Sequence, residues 1–252
     1  MACFITAAAF ARWTSRTVLG SLASVNLTEP GPMNAPENEP QGPASYRLYE
    51  FTNDWFDKNR GVWTQIIEKN KPRKILEIGS LEGRSTCFIL EKSVEAAEAQ
   101  VDITCIDTWP RKAGSPAGTI SDAERRFDHN IGIAISISPF PVTVTKLKTL
   151  SFEGLARLIA QGKTRSFDLI YIDGSFMATD VLTDAVMAFN LLKVGGVMIF
   201  DDYLWSGDKP GHQDMFKMPK PAIDAFLNIF QRKMTIFQGA PIGQIYARKI
   251  RA

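Results

Sequence analysis

Lys74-Ile75-Leu76-Glu77-Ile78-Gly79-Ser80-Leu81-Glu82-Gly83-Arg84-Ser85-Thr86 reads as a strand, a tight glycine turn and the first turn of a helix. Ile75, Leu76 and Ile78 form a short apolar run of the kind found in strands buried on both faces of a parallel sheet. Glu77 interrupts that run, and a carboxylate in such a place needs donors. Gly79 and Gly83 let the backbone turn and pass close to a ligand. Ser85 and Thr86 fall in the first helical turn, where free N–H groups favour an anion. A ligand-binding turn is one reading and a plain strand-to-helix connection is the other; the rest of the chain has to separate them.

Downstream, Arg84 to Ala99 has helical periodicity with Cys87, Phe88 and Leu90 inward. Val101 to Asp107 is a second strand ending in an acid. At this place in nucleotide-binding α/β folds an acid accepts hydrogen bonds from a ribose diol; capping the turn before Thr108-Trp109-Pro110 is the alternative. Arg111 to Thr119 reads as a loop. Ser121 with Glu124 makes a capping box for a helix from Asp122 to Ile131. Phe140 to Leu147 is a β-branched third strand, and Ser151 caps a helix through Ala160. Phe167 to Asp173, a helix from Thr179 to Leu192, and Val197 to Phe200 follow. A helix from Ala222 to Phe230 precedes two closing strands, Lys233 to Phe237 and Ile242 to Arg248. Alternating strands and helices predict an α/β, Rossmann-like, doubly wound sheet of seven strands with helices on both faces.

Upstream, Leu48, Phe51, Trp55 and Phe56 recur at helical spacing, so Tyr46 to Asn70 is predicted as two helical pieces broken at Gly61. Residues 29–45 are rich in Pro, Gly and Asn, a linker composition. Residues 1–28 hold Arg12 and Arg16 and no acid, which fits a transit peptide weakly and an idle tail equally. The expected organisation is a disordered leader and linker over 1–45 and one domain over 46–252.

A chain of 252 residues, 45% hydrophobic and 22% charged, suits one soluble domain. A net charge of +2 gives no nucleic-acid surface and no polybasic membrane patch. No apolar run reaches the roughly 20 residues needed to span a bilayer. Cys3, Cys87 and Cys105 lack Cys-x-x-Cys spacing, which argues against zinc or a redox motif and for a reducing, cytoplasmic setting. The expected partner is a small molecule, with self-association left open.

Glu77, Gly79 and Gly83 match acidic-x-Gly-x-x-x-Gly, and here the chain resembles the class I methyltransferases that use S-adenosylmethionine. Leu81 breaks the dinucleotide pattern Gly-x-Gly-x-x-Gly, against a nicotinamide oxidoreductase. The resemblance implies that Glu77, Gly79, Ser80, Gly83 and Ser85 hold the amino-acid end of the cofactor and Asp107 its ribose. It puts the turn at Ser151 beside the adenine, though plain N-capping by Ser151 stands equally.

Glu77, Asp107, Asp173, Asp201 and Asp202 all leave strands at the carboxyl rim, where ligands of open α/β sheets bind. Carboxylates this close raise one another's pKa unless something positive sits among them. The cofactor's sulfonium or a divalent cation such as Mg²⁺ would serve. The pattern looks like the metal-dependent O-methyltransferases of the catechol O-methyltransferase type. That implies a metal held by Asp173, Asp201 and Asp202, acidifying and orienting an acceptor hydroxyl, with Asp173 the residue at the chemistry. Ordinary turns and caps are the alternative for these acids.

The motifs Asp173-Gly174-Ser175, Leu191-Leu192-Lys193-Val194-Gly195-Gly196 and Phe200-Asp201-Asp202-Tyr203 are similar to a branch of small class I methyltransferases, over about residues 46 to 250. In that branch a His follows Asp-Gly-Ser; here Phe176 stands there. His212 is a conceivable substitute base, although a solvated loop histidine is the ordinary reading, and His129 reads as structural. The implied function is methyl transfer to a hydroxyl of a small molecule. The rival is a protein that binds the cofactor but is catalytically impaired. A nucleic-acid methyltransferase is disfavoured by the missing Asn/Asp-Pro-Pro-aromatic motif.

Overall fold

The computed structural model describes residues 48–110 and 121–252. The chain divides between Gln41 and Gly42 into two units, and every described residue belongs to the second. The expected leader and linker, and the loop from Arg111 to Thr119, lie outside the described residues.

Seven strands form one sheet: β1 (Lys74–Ile78), β2 (Val101–Asp107), β3 (Val142–Lys148), β4 (Phe167–Ile172), β5 (Leu192–Phe200), β6 (Met234–Ile236) and β7 (Ile245–Lys249). Their spatial order is β3-β2-β1-β4-β5-β7-β6. The first five run parallel, and β7 runs antiparallel between β5 and β6. Among the described residues the α-helices are α1 (Arg60–Asn70), α2 (Arg84–Ala97), α3 (Asp122–Ile137), α4 (Ser151–Ala160), α5 (Ala178–Leu191) and α6 (Pro219–Ile229).

Successive side chains on a strand point to opposite faces, and the core divides accordingly. Ile75, Ile103, Leu169, Tyr171 and Ile199 pack with residues of α1, α2 and α3 on one face. Leu76, Ile78, Ile106, Ile170, Met198 and Phe200 pack with α4, α5 and α6 on the other. Each such side chain, once fully buried, contributes about 1.5–3 kcal/mol. No helix among the described residues is long and apolar enough to cross a membrane. Cys87 and Cys105 are buried and free.

The expected helix before Gly61 is corrected over its described residues, 48–59; Tyr46 and Arg47 lie outside them. Over the described residues 48–56 there is no α-helix, only 3₁₀ conformation at Leu48 and then a 3₁₀ turn at Asp57–Asn59, and Gly61 lies inside α1 rather than breaking a helix. The segment's donors are used elsewhere: Glu50 N–H donates to Asn130 Oδ1 (2.7 Å) and Thr52 N–H to Glu82 Oε2 (2.7 Å). Phe56 packs on Trp63, Phe88 and Tyr171, so the aromatic spacing reports burial against several elements. Helix α3 runs on to Ile137, β3 starts at Val142, and β5 starts at Leu192, with Gly195 at φ +88° on its way to the apolar run. Ser151 is the first residue of α4 and not its cap; the capping position is Leu150, which has no side-chain oxygen.

Candidate active site

The glycine turn is held from below by Glu77. Its carboxylate is fully buried and accepts hydrogen bonds from Ser80 Oγ (2.9 Å), Ser85 Oγ (2.5 Å) and the Thr86 hydroxyl. Burial pushes the Glu77 carboxyl above its ordinary value, and the three hydroxyls oppose that rise. Gly79 has φ +86°, and a Cβ there would lie 2.2 Å from the Asp173 carbonyl oxygen. The exit of β1 therefore passes the exit of β4 at a distance only glycine allows. Gly83, at φ +78°, occupies the capping position of α2.

Asp107 ties the second strand to this turn. Its carboxylate accepts from Ser80 N–H (3.0 Å), Leu81 N–H (2.9 Å) and Trp109 N–H (2.7 Å). Trp109 in turn donates Nε1–H to the Leu81 carbonyl at 2.7 Å. Glu82 is 3% exposed and accepts from Thr52 N–H (2.7 Å), Thr52 Oγ1 (2.6 Å) and Arg126 Nε (2.7 Å). Burial works against its charge, but Thr52 and Arg126 prevail and hold the carboxyl below its ordinary value.

Above the carboxyl ends of β1, β4 and β5 lies a cavity of about 450 Å³. Gly79, Ser80 and Ser85 from the turn line it, together with Leu81, Glu82 and Arg84. On its other walls stand Asp173, Asp201 and Asp202, then Trp55, Lys58, Tyr171, Phe176 and Trp205. The structure thus brings six of the expected site residues to one place: Gly79, Ser80, Ser85, Asp173, Asp201 and Asp202. Glu77, Gly83 and Asp107 support the turn from outside the lining, and Ser151 lies apart from it, at the start of α4.

The acids are wired together by groups that sequence reading missed. The Tyr171 hydroxyl lies within hydrogen-bond reach of both Asp173 Oδ2 (3.0 Å) and Asp201 Oδ2. One hydroxyl proton cannot satisfy two carboxylates at once. Gln244 Nε2–H donates to Asp201 Oδ2 at 2.8 Å, and Gln244 Oε1 accepts from Trp63 Nε1–H (2.9 Å) and the Tyr246 hydroxyl (2.5 Å). Asp202 N–H donates to Asp201 Oδ1 at 2.7 Å. The period of two along β4 puts Tyr171 and Asp173 on one side and could have flagged Tyr171. Gln244 had no local signal.

The crowded cavity floor, then Asp201 and Asp202, push the Asp173 carboxyl well above its ordinary value. Partial burial, then Asp201, raise Asp202 to about 6, against the pull of Lys58. As arranged, the acids are not grouped to hold a divalent cation, and Asp201 is engaged: Tyr171 and Gln244 meet one of its oxygens and the Asp202 amide uses one lone pair of the other. Among the described residues no three His, Cys, Asp or Glu side chains are grouped to hold a metal ion.

Phe176 stacks on Trp205, with ring centroids 3.7 Å apart and planes 19° from parallel. No histidine lines the cavity. His129 Nε2 lies 3.1 Å from the Leu48 carbonyl, and His212 lies in the loop before α6, outside the lining.

The family model of a methyltransferase domain matches residues 76–203, the span from β1 to the exit of β5 and a little over half the chain. The chain belongs to that family. Solved structures share the fold. An O-methyltransferase from Bacillus cereus in complex with S-adenosylhomocysteine is 18% identical, with 82% of this chain and 86% of that chain covered and a TM-score of 0.55. The O-methyltransferase TomG from Streptomyces achromogenes, in complex with S-adenosylmethionine, is 17% identical, with 77% and 80% covered and a TM-score of 0.53. No curated protein is significantly similar. The methyltransferase-domain chain thus has the class I fold, with β7 antiparallel within an otherwise parallel sheet.

Proposed function

We propose that this methyltransferase-domain chain transfers the methyl group of S-adenosylmethionine to a hydroxyl oxygen of a small molecule. The observation that carries this reading is the shared cavity, in which the glycine turn meets Asp173 and Asp201. Gly79, Ser80 and Ser85 face the amino-acid end of the cofactor, over the carboxylate of Glu77. Asp107 sits where a ribose diol is bound in this fold class, and would serve it by exchanging backbone partners or by holding the turn against it. The adenine lies towards Ser151. O-methylation is supported by neighbours of the same fold whose names carry it.

In the transfer, the acceptor oxygen attacks the methyl carbon and the carbon–sulfur bond electrons pass to sulfur. The hydroxyl proton moves to Asp173, whose surroundings favour the protonated form. Orientation in a small enclosed site supplies much of the rate. Since the acids as arranged are not grouped to hold a metal, no step runs through one. A second reading, cofactor binding without turnover, draws on the lack of a histidine in the lining.

The test is calorimetric titration of S-adenosylmethionine into the full chain, with Mg²⁺ and with chelator, followed by a screen of hydroxylated acceptors for S-adenosylhomocysteine release. Binding, and turnover lost in Asp173→Asn, are expected. No binding at all would sink the proposal. Binding with no turnover on any acceptor would favour the second reading, and turnover abolished by chelator would restore the metal.

A further inference from the structure

We propose that the opposite pole of the sheet, where the parallel strands begin, carries a second binding site for a small molecule bearing a chain of two or more phosphates, received by Lys71, Arg73, Lys74 and Lys163. It is separate from the cavity above the strand ends and does not depend on methyl transfer.

A cavity of about 450 Å³ lies there, lined by Lys71, Arg73, Lys74 and Lys193 with Asp102 and Asp168. A neighbouring cavity of about 420 Å³ shares Lys74 and Asp102 and adds Lys163 and the hydroxyls of Thr104, Thr143 and Thr145. The register sets Lys74 beside Asp102, Asp102 beside Thr143 and Thr104 beside Thr145. By the period of two these residues share the face that buries Leu76 and Ile106 further along β1 and β2. Helix α4 packs on that face through Leu155 and Leu158 and ends at Ala160, and Lys74, Thr143 and Thr145 remain exposed.

The charges of this pole do not balance. Asp168 is spent: Oδ1 accepts from Lys193 Nζ (2.7 Å), and Oδ2 accepts from the N–H groups of Arg73 (3.0 Å) and Lys74 (2.8 Å). Burial opposes its charge, but Lys193 and the two amides prevail and hold the carboxyl below its ordinary value. Asp168 thereby fixes the backbone from which the Arg73 and Lys74 side chains leave. Asp102 accepts from Gln100 Nε2–H at 2.9 Å. Lys71, Lys74 and Lys163 have no ion pair among the described residues. Arg73 donates through Nε to the Gln100 carbonyl (3.2 Å), which leaves its two terminal nitrogens uncommitted. Four cations, all charged at neutral pH, thus face the one carboxylate of Asp102. The chain's net charge of +2 conceals this excess, because Asp173, Asp201 and Asp202 gather at the other pole.

Donors are what the lining offers. Each ammonium carries three N–H groups and the guanidinium a planar fork. A phosphate presents more acceptor oxygens than a carboxylate and more charge in the same space. Linked phosphates can reach cations in both cavities at once, which a single anion cannot.

The probe is tripolyphosphate, titrated calorimetrically into the full chain in metal-free buffer at about 0.15 M salt, where diffuse surface attraction is screened. Sulfate and citrate are the comparison anions, one a single tetrahedral ion and the other a polycarboxylate. Tripolyphosphate is expected to bind at least about tenfold more tightly than either. Joint replacement Arg73→Gln and Lys74→Gln should weaken it about tenfold or more, and Lys163→Gln a few-fold. Lys217→Gln, which removes an exposed cation outside both cavities, should leave it unchanged. Thermal unfolding checks the fold of each variant, and Lys163→Gln decides if the double variant unfolds. No binding of tripolyphosphate overturns the inference, as does equal binding of sulfate or citrate. A loss in Lys217→Gln as large as in the cavity variants also overturns it, because the attraction would then belong to the whole surface.

Discussion

Asp184, in the middle of α5, should make the protein less stable at neutral pH than in mild acid. Its side chain is 1% exposed, and neither carboxylate oxygen has a hydrogen-bond partner of normal geometry. Burial raises its carboxyl from 3.8 to about 6, with the nearby Ser151 hydroxyl opposing and Asp180 adding to the rise. A carboxyl with a raised folded value keeps its proton longer in the folded state than in the unfolded one. Stability therefore falls as pH climbs from about 4, and the deficit is complete above about pH 6. About two pH units at ~1.4 kcal/mol each give a deficit of about 3 kcal/mol. Asp184→Asn keeps the shape and removes the ionisation. Its stability relative to wild type, from urea unfolding, should improve by about 1.5 kcal/mol between about pH 5 and about pH 8. The amide adds a pH-independent offset of its own, so the slope of the difference is the measurement. A difference flat across that range would refute the reasoning.

Three further outcomes are expected. Lys249, 1% exposed and donating to the carbonyls of Phe189 and Leu192, is brought down to about 8 by burial and then by Arg165 and Lys233. Wild type should gain stability as pH rises from about 8 towards 10.5, and Lys249→Met should lose that gain in thermal unfolding followed across pH. Gly79→Ala places a Cβ against the Asp173 carbonyl in a left-handed conformation; it should cost about 2 kcal/mol or more and abolish cofactor binding by calorimetry. Gln244→Leu strands Trp63 Nε1 and the Tyr246 hydroxyl and leaves Asp201 Oδ2 with Tyr171 as its one remaining donor, and should cost about 2–4 kcal/mol in denaturant unfolding.

The sheet was legible because its strands are short apolar runs between turn residues. Lys74–Ile78 and Val101–Asp107 begin and end where the residues imply. The carboxyl-rim rule then located the cavity acids without any contact being known. The aromatic run before α1 misled, because Phe56 and its neighbours satisfy tertiary contacts that mimic helical spacing. The wiring of the acids was illegible for a related reason. Tyr171 is an ordinary strand residue until Asp201 is placed beside it, and Gln244 reaches that carboxylate only because β7 inserts next to β5. Ser151, named from the turn it occupies, proved to be a first helical residue rather than a cap.

That insertion has a consequence for how the protein comes into being. The aspartates of the cavity lie between residues 173 and 202, whereas the amide that steadies Asp201 comes from residue 244. A nascent chain emerging only as far as β5 has its carboxylates but neither that amide nor the strand that covers the edge of β5. Such an intermediate presents an open apolar edge and a self-repelling acidic rim. Chaperone capture should concentrate on translation intermediates between β5 and β7, and release should coincide with synthesis of β7.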